Sequence, residues 1–167
     1  MDNTSDYNNY LAKKTAQLIR ENFSEKGVIN FLVVKTGKKW KRKLGHIKPH
    51  KEGNKYNAEY GSVIEINPLL FDLDVPEFIL DYVILHELIH YFQGFASNHE
   101  RKFRHPHKGG IVEKEMERLG WGEIQKKSDK WLKKNWSDIL KKNNIDPSVK
   151  RKRKIIRIRS WKSFFGY

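Results

Sequence analysis

The 167-residue chain contains no cysteine. This absence excludes disulfide scaffolds, thiolate zinc sites, iron–sulfur sites and cysteine nucleophiles. Long apolar runs are also missing, because no stretch approaches the roughly 18 residues that a membrane-spanning helix needs. The polar start MDNTSDYNNY lacks the pattern of a secretory signal peptide. We therefore expect a soluble protein of the cytoplasm, or of the nucleus in a eukaryote, built around one domain.

Basic residues are abundant and unevenly placed. Lysine and arginine number 34 against 20 acidic residues, and the net charge is +14. Residues 61–100 contain no lysine or arginine, whereas residues 28–60 and 101–167 are basic. A polyanionic partner such as nucleic acid is the simplest reason for the basic part. The alternative is a charged surface that serves only solubility.

Hydrophobic periodicity predicts an α+β fold with an N-terminal helix and a small, mainly antiparallel sheet. Strands are predicted at 28–35 and 58–66, and the basic run between them is expected in a hairpin. Asp74 and Glu77 suggest a capping box for a buried helix that ends near Phe92. Further helices are predicted at 7–23, 110–119 and 121–142.

Residues 86–90 read His-Glu-Leu-Ile-His within the predicted apolar helix. One helical turn separates His86 from His90, so both imidazoles share a face and can bind one zinc ion. Glu87 is then placed as general base toward a water molecule that the zinc ion activates. Burying these groups is costly unless a metal ion pairs with them. The alternative is two hydrogen-bonded core histidines beside an incidental glutamate.

A catalytic zinc site needs a third protein ligand and one open position. The metzincin spacing would place a histidine at position 96, where this chain has alanine. The residue types alone leave the third ligand open among several downstream candidates: His99, His105, His107, Glu113, Glu115 and Glu117.

Two stretches carry a family resemblance: INPLLFDLDVPEFILDYVILHELIHYF (66–92) and HKGGIVEKEMERLGW (107–121). With their spacing, the chain resembles the SprT-like metallopeptidases, which include the Spartan proteases, over roughly residues 28–121. A similar arrangement occurs in the related YgjP-type metal hydrolases. The resemblance implies a zincin-like fold in which the His-Glu-x-x-His helix is the active-site helix. It divides the chain into a metallopeptidase core (1–121), a basic helical extension (122–149) and a basic tail (150–167).

The resemblance also implies roles for individual residues. His86 and His90 would be the first two ligands of one catalytic Zn²⁺, and Glu87 would be the catalytic base. His107 would be the third ligand, because the helix that follows it keeps the family's register; His105 is the reserve candidate. The resemblance does not assign the group that stabilises the oxyanion, and Tyr60, Tyr91 and His105 stay open as candidates.

Two basic elements are candidate nucleic-acid contacts. In the first, a tryptophan lies among cations, which suits the stacking of single-stranded bases: Lys38, Lys39, Trp40, Lys41, Arg42 and Lys43. The second belongs to the tail: Arg151, Arg153, Arg157 and Arg159. Members of the SprT-like family act near DNA, so we expect DNA as a partner, with single strands favoured, and no membrane. The alternative for each element is a solvated hairpin or tail.

The substrate is expected to be a protein, and the enzyme a monomer. By analogy with zinc proteases of this architecture, the substrate would add a strand to a sheet edge, for which residues 60–66 are the candidate. The acidic segment 61–100 suggests that nucleic acid does not cross the metal and that basic peptides are preferred.

Three functional hypotheses follow. The first is a zinc-dependent endopeptidase recruited to DNA that cleaves DNA-associated proteins. The second is a nucleic-acid-binding protein whose zinc site is structural or vestigial. The third is a YgjP-like metal hydrolase that acts on a non-protein substrate such as a nucleotide phosphate.

Overall fold

The computed structural model describes residues 4–52 and 59–148, and the predicted tail contacts Arg151, Arg153, Arg157 and Arg159 lie outside this part. The described chain forms four α-helices, a short 3₁₀ helix and three strands, which confirms the α+β class. In chain order the elements are α1 (Thr4–Asn22), β1 (Phe31–Thr36), β2 (Gly45–Glu52), β3 (Glu59–Ile66), a 3₁₀ helix (Pro68–Phe71), α2 (Glu77–Phe92), α3 (Ile111–Arg118) and α4 (Gly122–Lys142).

The sheet is mixed, with the strand order β1-β3-β2. β3 pairs in parallel with β1 and antiparallel with β2. The expectation of a mainly antiparallel sheet is therefore wrong, and so is the assignment of residues 60–66 to an edge. Val63, Ile64 and Ile66 are all buried. A strand that buries side chains on both faces belongs in the centre of a sheet, which leaves β1 and β2 as its edges.

The basic segment 37–44 does not form the predicted hairpin but crosses past the end of β3. Gly37 donates its backbone N–H to the carbonyl of Ile66, and Asn67 donates its own to the carbonyl of Leu44, both at 2.8 Å. The segment thereby carries the chain from one side of β3 to the other.

The side chain of Asn67 holds the crossing segment in place by hydrogen bonds. It is fully buried, and Nδ2 donates to the carbonyls of Trp40 at 2.7 Å and Lys43 at 2.8 Å. Its Oδ1 accepts from the backbone N–H of Leu69 at 3.1 Å and so caps the 3₁₀ helix. One amide therefore satisfies three backbone groups of two different segments.

Helix α2 is the centre of the hydrophobic core. Eleven of its residues are buried, and they pack with α1, α4 and the apolar face of the sheet: Ile79, Leu80, Val83, Ile84, Leu85, Glu87, Leu88, Ile89, His90, Tyr91 and Phe92. The prediction of a buried helix ending near Phe92 is confirmed. Ile139 and Leu140 of α4 belong to the same core.

The predicted capping box of α2 is wrong. Pro76 occupies the N-cap and makes no side-chain cap. Asp74 instead accepts from Lys142 at 2.6 Å, and Glu77 accepts from Lys14 at 2.7 Å. The two carboxylates thus bind lysines that are distant in the sequence and do not cap the helix end.

None of the helices in the described part is both long and apolar enough to span a membrane.

We predict that Asn67→Ala lowers the free energy of unfolding by about 2–4 kcal/mol, because three backbone groups in buried or part-buried hydrogen bonds lose their partner. Urea denaturation measures the change. Asn135→Ala is the matched control, since Asn135 donates only to the carbonyl of Trp131 in its own helix. A loss at Asn67 no larger than at Asn135 would contradict the role given to the crossing.

Candidate metal centre

The two histidines of the sequence motif meet on one face of α2. Their Nε2 atoms are 3.2 Å apart, and the ring centroids are 4.8 Å apart. His86 and His90 are one turn apart, so the helix itself sets this spacing. His90 is buried, at 4% exposed, whereas His86 is partly exposed.

His107 completes the group from outside the helix. Its ring lies 5.5 Å from that of His86 and 4.6 Å from that of His90. One nitrogen from each histidine can be chosen so that all three lie within 4.8 Å of one another. Three imidazoles are therefore close enough to bind one metal ion.

The other candidates for a third ligand are not part of this group in the described structure. The ring of His99 packs against Tyr91 and Phe92 instead. Glu115 forms two hydrogen bonds with the guanidinium of Arg118. Of the alternatives that the residue types left open, the geometry brings His107 to the pair.

The loop between α2 and α3 returns the chain to the metal-binding face. It begins with a tight turn at Gly94, whose φ is +81° and where an added Cβ would lie 2.5 Å from the carbonyl oxygen of Glu100. The next residue, Phe95, donates its N–H to the carbonyl of His90 at 3.0 Å and sets its ring edge-on to that imidazole. Glycine at position 94 is thus required by close backbone contact.

A polar network ties the same loop to the sheet. Tyr91 donates to Asn30 Oδ1 at 2.9 Å, and Asn30 Nδ2 donates to Ser62 Oγ at 3.0 Å. Ser62 in turn donates to the carbonyl of Ala96 at 2.6 Å. Tyr91 is fully buried in this network and does not line the metal-binding cleft. Its hydroxyl is therefore not available to stabilise an oxyanion.

Burial sets the protonation of the site. It lowers the pKa of His86 to about 4 and that of His90 to about 3, with the neighbouring imidazoles acting in the same direction. Both rings are therefore neutral at pH 7 and present lone pairs. Two neutral nitrogens 3.2 Å apart suit a shared cation. The buried Nδ1 of His90 has no hydrogen-bond partner among the described residues.

Glu87 lies between the metal-binding face and strand β2. It is 6% exposed, and burial raises its pKa to about 8. A backbone hydrogen bond from Ile47 and the positive charge of Lys43 oppose this rise. An added Cβ at Gly45 would lie 3.2 Å from Glu87 Oε1, so the strand approaches the carboxyl group closely.

These groups line an open cleft of about 470 Å³. Its wall is mostly apolar, and its polar members are the three histidines, Glu87, His46, Tyr82, Arg42 and Lys43. Tyr82 was missed from the sequence, although its position one turn before His86 puts it on the same helix face. Burial and the carboxylate of Asp129, to which its hydroxyl is hydrogen-bonded, raise the pKa of Tyr82 to about 12.

No family model, curated protein or solved structure matches this chain. The resemblance to SprT-like metallopeptidases therefore stays a prediction that rests on residues 66–121.

The residues of the first basic element lie partly outside the cleft and partly on its wall. The ring of Trp40 is half-buried against Gly37 and lies edge-on to His46 at 5.0 Å. Lys38 and Lys39 are exposed and outside the cleft, and Lys39 donates to Asn143 at 3.3 Å. The carbonyl of Lys41 accepts from the indole of Trp136 at 3.0 Å, while Arg42 and Lys43 reach the cleft. Nucleic-acid binding by these residues stays a prediction.

The acidic segment 61–100 does not surround the cleft with negative charge. Its carboxylates form ion pairs elsewhere: Glu65 with Lys48, Asp72 and Asp74 with Lys142, and Glu77 and Asp81 with Lys14. Among the described residues that line the cleft, Glu87 is the one acid. The positions of these carboxylates therefore do not support the expected preference for basic peptides.

We predict that metal-free Glu87→Gln is more stable than the wild type at pH 8. The folded wild type keeps this carboxyl group protonated up to about pH 8, whereas the unfolded chain releases the proton near the ordinary glutamate pKa of 4.5. Wild-type stability therefore falls as pH rises between these values, and glutamine removes the loss. The expected advantage at pH 8 is roughly 2–4 kcal/mol, and it vanishes below about pH 4.5.

Urea denaturation in the presence of a chelator, from pH 4.5 to 8.5, measures this difference. His86 and His90 destabilise both proteins as pH falls, so their effect cancels in the comparison. Glu117→Gln, at an exposed position of α3, is the control and should show no such trend. A difference that is constant across the pH range would contradict the burial of an uncompensated carboxyl group.

Proposed function

We propose that this protein is a zinc-dependent endopeptidase of zincin-like fold, similar to the SprT-like family, that cleaves DNA-associated proteins. One observation carries the proposal. Three imidazoles converge beside a buried glutamate on the wall of an open cleft. A purely structural metal site would be closed by a fourth protein ligand, whereas this arrangement leaves room for water and substrate.

The donor set favours zinc. Three imidazoles without a thiolate form one of the common ligand sets of catalytic zinc. Zinc–nitrogen distances of about 2.0–2.1 Å in a tetrahedron place two ligand nitrogens roughly 3.4 Å apart. The nitrogens of His86 and His90 are separated by 3.2 Å, close to that value. His107 would be the third ligand.

The chemistry divides between the ion and Glu87. A bound zinc ion lowers the pKa of a coordinated water molecule to about 7 and polarises a carbonyl oxygen. Glu87 takes up the proton of the attacking water and delivers it to the leaving amine of the peptide. The pKa of about 8 belongs to the metal-free site, and a zinc ion beside Glu87 would favour the ionised form that accepts this proton.

Strand β2 supplies a guide for an extended substrate. The hydrogen bond from Asn67 to Leu44 sets the alternation of the antiparallel ladder, so Gly45 and Ile47 point their backbone groups away from β3. This outer side of β2 has no strand partner in the described part of the chain. A peptide that adds a strand here would run past Glu87. The edge strand beside the site is thus β2 in place of the predicted 60–66.

Recruitment to DNA is supported by charge alone. Exposed lysines follow the open face of the sheet around Trp40 and His46: Lys35, Lys38 and Lys48, the last of them paired with Glu65. Together with the net charge of +14 they form a surface that attracts a polyanion. Such binding weakens steeply as salt increases. We propose single-stranded DNA as the partner and a monomer as the active form.

A second candidate is a metal hydrolase that acts on a phosphate ester, as suggested by the likeness to YgjP-type proteins. Arg42 and Lys43 favour it, because cations beside a metal centre stabilise phosphate charge. Against it, the cleft offers no glycine-rich loop or helix N-terminus that would hold a phosphate among its lining residues.

We predict that Glu87→Gln retains bound zinc and lowers kcat/KM for protein cleavage by at least about a hundredfold, because the general base is lost. A basic DNA-binding protein serves as the substrate, with and without single-stranded DNA and at two salt concentrations. Zinc content is measured on the same samples.

Glu117→Gln is the control for the loss of a glutamate elsewhere. Wild-type cleavage that depends on DNA and fades with salt would support recruitment. Cleavage by Glu87→Gln at the wild-type rate would contradict the mechanism. Hydrolysis of nucleotide phosphates with no cleavage of protein would favour the second candidate.

A further inference from the structure

Two cations of the cleft have no carboxylate partner. Arg42 and Lys43 are exposed and line the cleft together with Glu87 and the histidines. Neither forms an ion pair with an acidic side chain of the described residues, whereas Lys14, Lys48 and Lys142 each pair with a carboxylate of the acidic segment. Their charges are therefore free to meet an incoming ligand.

The backbone that presents these two side chains is fixed on both sides. Trp136 donates to the carbonyl of Lys41 at 3.0 Å, directly before Arg42. Asn67 donates to the carbonyl of Lys43 at 2.8 Å. A cation on a fixed backbone binds an anion with less loss of conformational freedom than one on a mobile loop.

The charge around the two cations is not cancelled within the cleft. Glu87 is the single acid among the lining residues that the structure describes, and it is buried. Two further titratable groups line the cleft. Burial and Lys43 lower the pKa of His46, whose Nε2 lies 3.5 Å from a Glu65 carboxylate oxygen, and burial raises the pKa of Tyr82 to about 12, so both are neutral at pH 7. The carboxylates of Glu113 and Asp129 act on His86 and Tyr82, so the unpaired positive charge of the cleft lies at Arg42 and Lys43.

We propose that Arg42 and Lys43 form an anion subsite that selects peptide substrates carrying aspartate or glutamate beside the scissile bond. The inference rests on the proposed peptidase function and reverses the preference for basic peptides that the acidic segment suggests. A guanidinium and an ammonium next to each other bind a carboxylate by charge-assisted hydrogen bonds.

The surroundings favour a peptide carboxylate over the phosphate of a nucleic acid. Arg42 and Lys43 immediately precede β2, so a peptide paired with the outer edge of that strand would carry its side chains past them. The aromatic rings of the cleft offer little surface on which bases could stack, since Phe95 is buried and Tyr82 is half-buried. The apolar wall formed by Ile47, Val83 and Ala96 suits a side chain and backbone better than a sugar-phosphate chain.

The test compares three matched peptides that differ only at the residue beside the cleaved bond: glutamate, glutamine or lysine. The bond is first located by mass spectrometry of wild-type digests. We expect kcat/KM for the glutamate peptide to exceed that for the glutamine peptide by about tenfold at low salt. Arg42→Gln with Lys43→Gln should abolish the preference, and Arg42→Glu with Lys43→Glu should turn it toward the lysine peptide.

Lys133→Gln with Lys134→Gln is the matched control. Both lysines are exposed on α4 and do not line the cleft, so their substitution removes the same number of charges away from it. The control should keep the wild-type preference. Equal rates for the three peptides, or a wild-type preference for lysine, would overturn the subsite.

A binding measurement separates the failure of the subsite from the failure of the proposed function. Fluorescence anisotropy follows the three labelled peptides on zinc-loaded Glu87→Gln. If the wild type cleaves nothing, yet the glutamate peptide binds best and loses this advantage without Arg42 and Lys43, the peptidase function fails and the subsite stands. If inorganic phosphate or oligothymidylate binds through these cations and the peptides do not, the subsite recognises phosphate and the proposal is wrong.

Discussion

The burial of two imidazoles and a carboxyl group in the most apolar helix is the constraint on which the rest of this structure depends. An isolated polar group in such a position is costly, and the cost grows with each added group. The protein meets it by keeping His86 and His90 neutral, by protonating Glu87 and by placing His107 against both rings. A cation shared by the three imidazoles would remove the remaining penalty.

The elements around α2 can be understood as supports for this cluster. The crossing segment 37–44, fastened by Asn67, sends β2 to the side of the sheet where Gly45 and Ile47 meet Glu87. The tight turn at Gly94 and the network from Tyr91 to Ala96 hold the returning loop over His90. Stability and chemistry thus draw on the same contacts, and a change at the crossing should disturb both.

The sequence predicted local features well and non-local ones poorly. Helices α2 and α4 were found because apolar periodicity and turn residues are properties of neighbouring positions. The pair His86 and His90 followed from helix geometry alone, and His107 followed from a resemblance. The position of β3 between β1 and β2 depends on which strands pair across long separations, which local periodicity does not encode. The same holds for Asp74 bound by Lys142, and for Arg42 and Lys43 at the cleft.

The central claim is that three histidines hold one metal ion with a position left open, and zinc X-ray absorption spectroscopy tests it most directly. Zinc-loaded wild type, His107→Ala and His105→Ala would be compared. We predict three imidazole nitrogens and one oxygen at about 2.0–2.1 Å in the wild type. One nitrogen should be lost in His107→Ala, and the spectrum of His105→Ala should be unchanged. Two or fewer imidazoles in the wild type, or an unchanged spectrum in His107→Ala, would contradict the account.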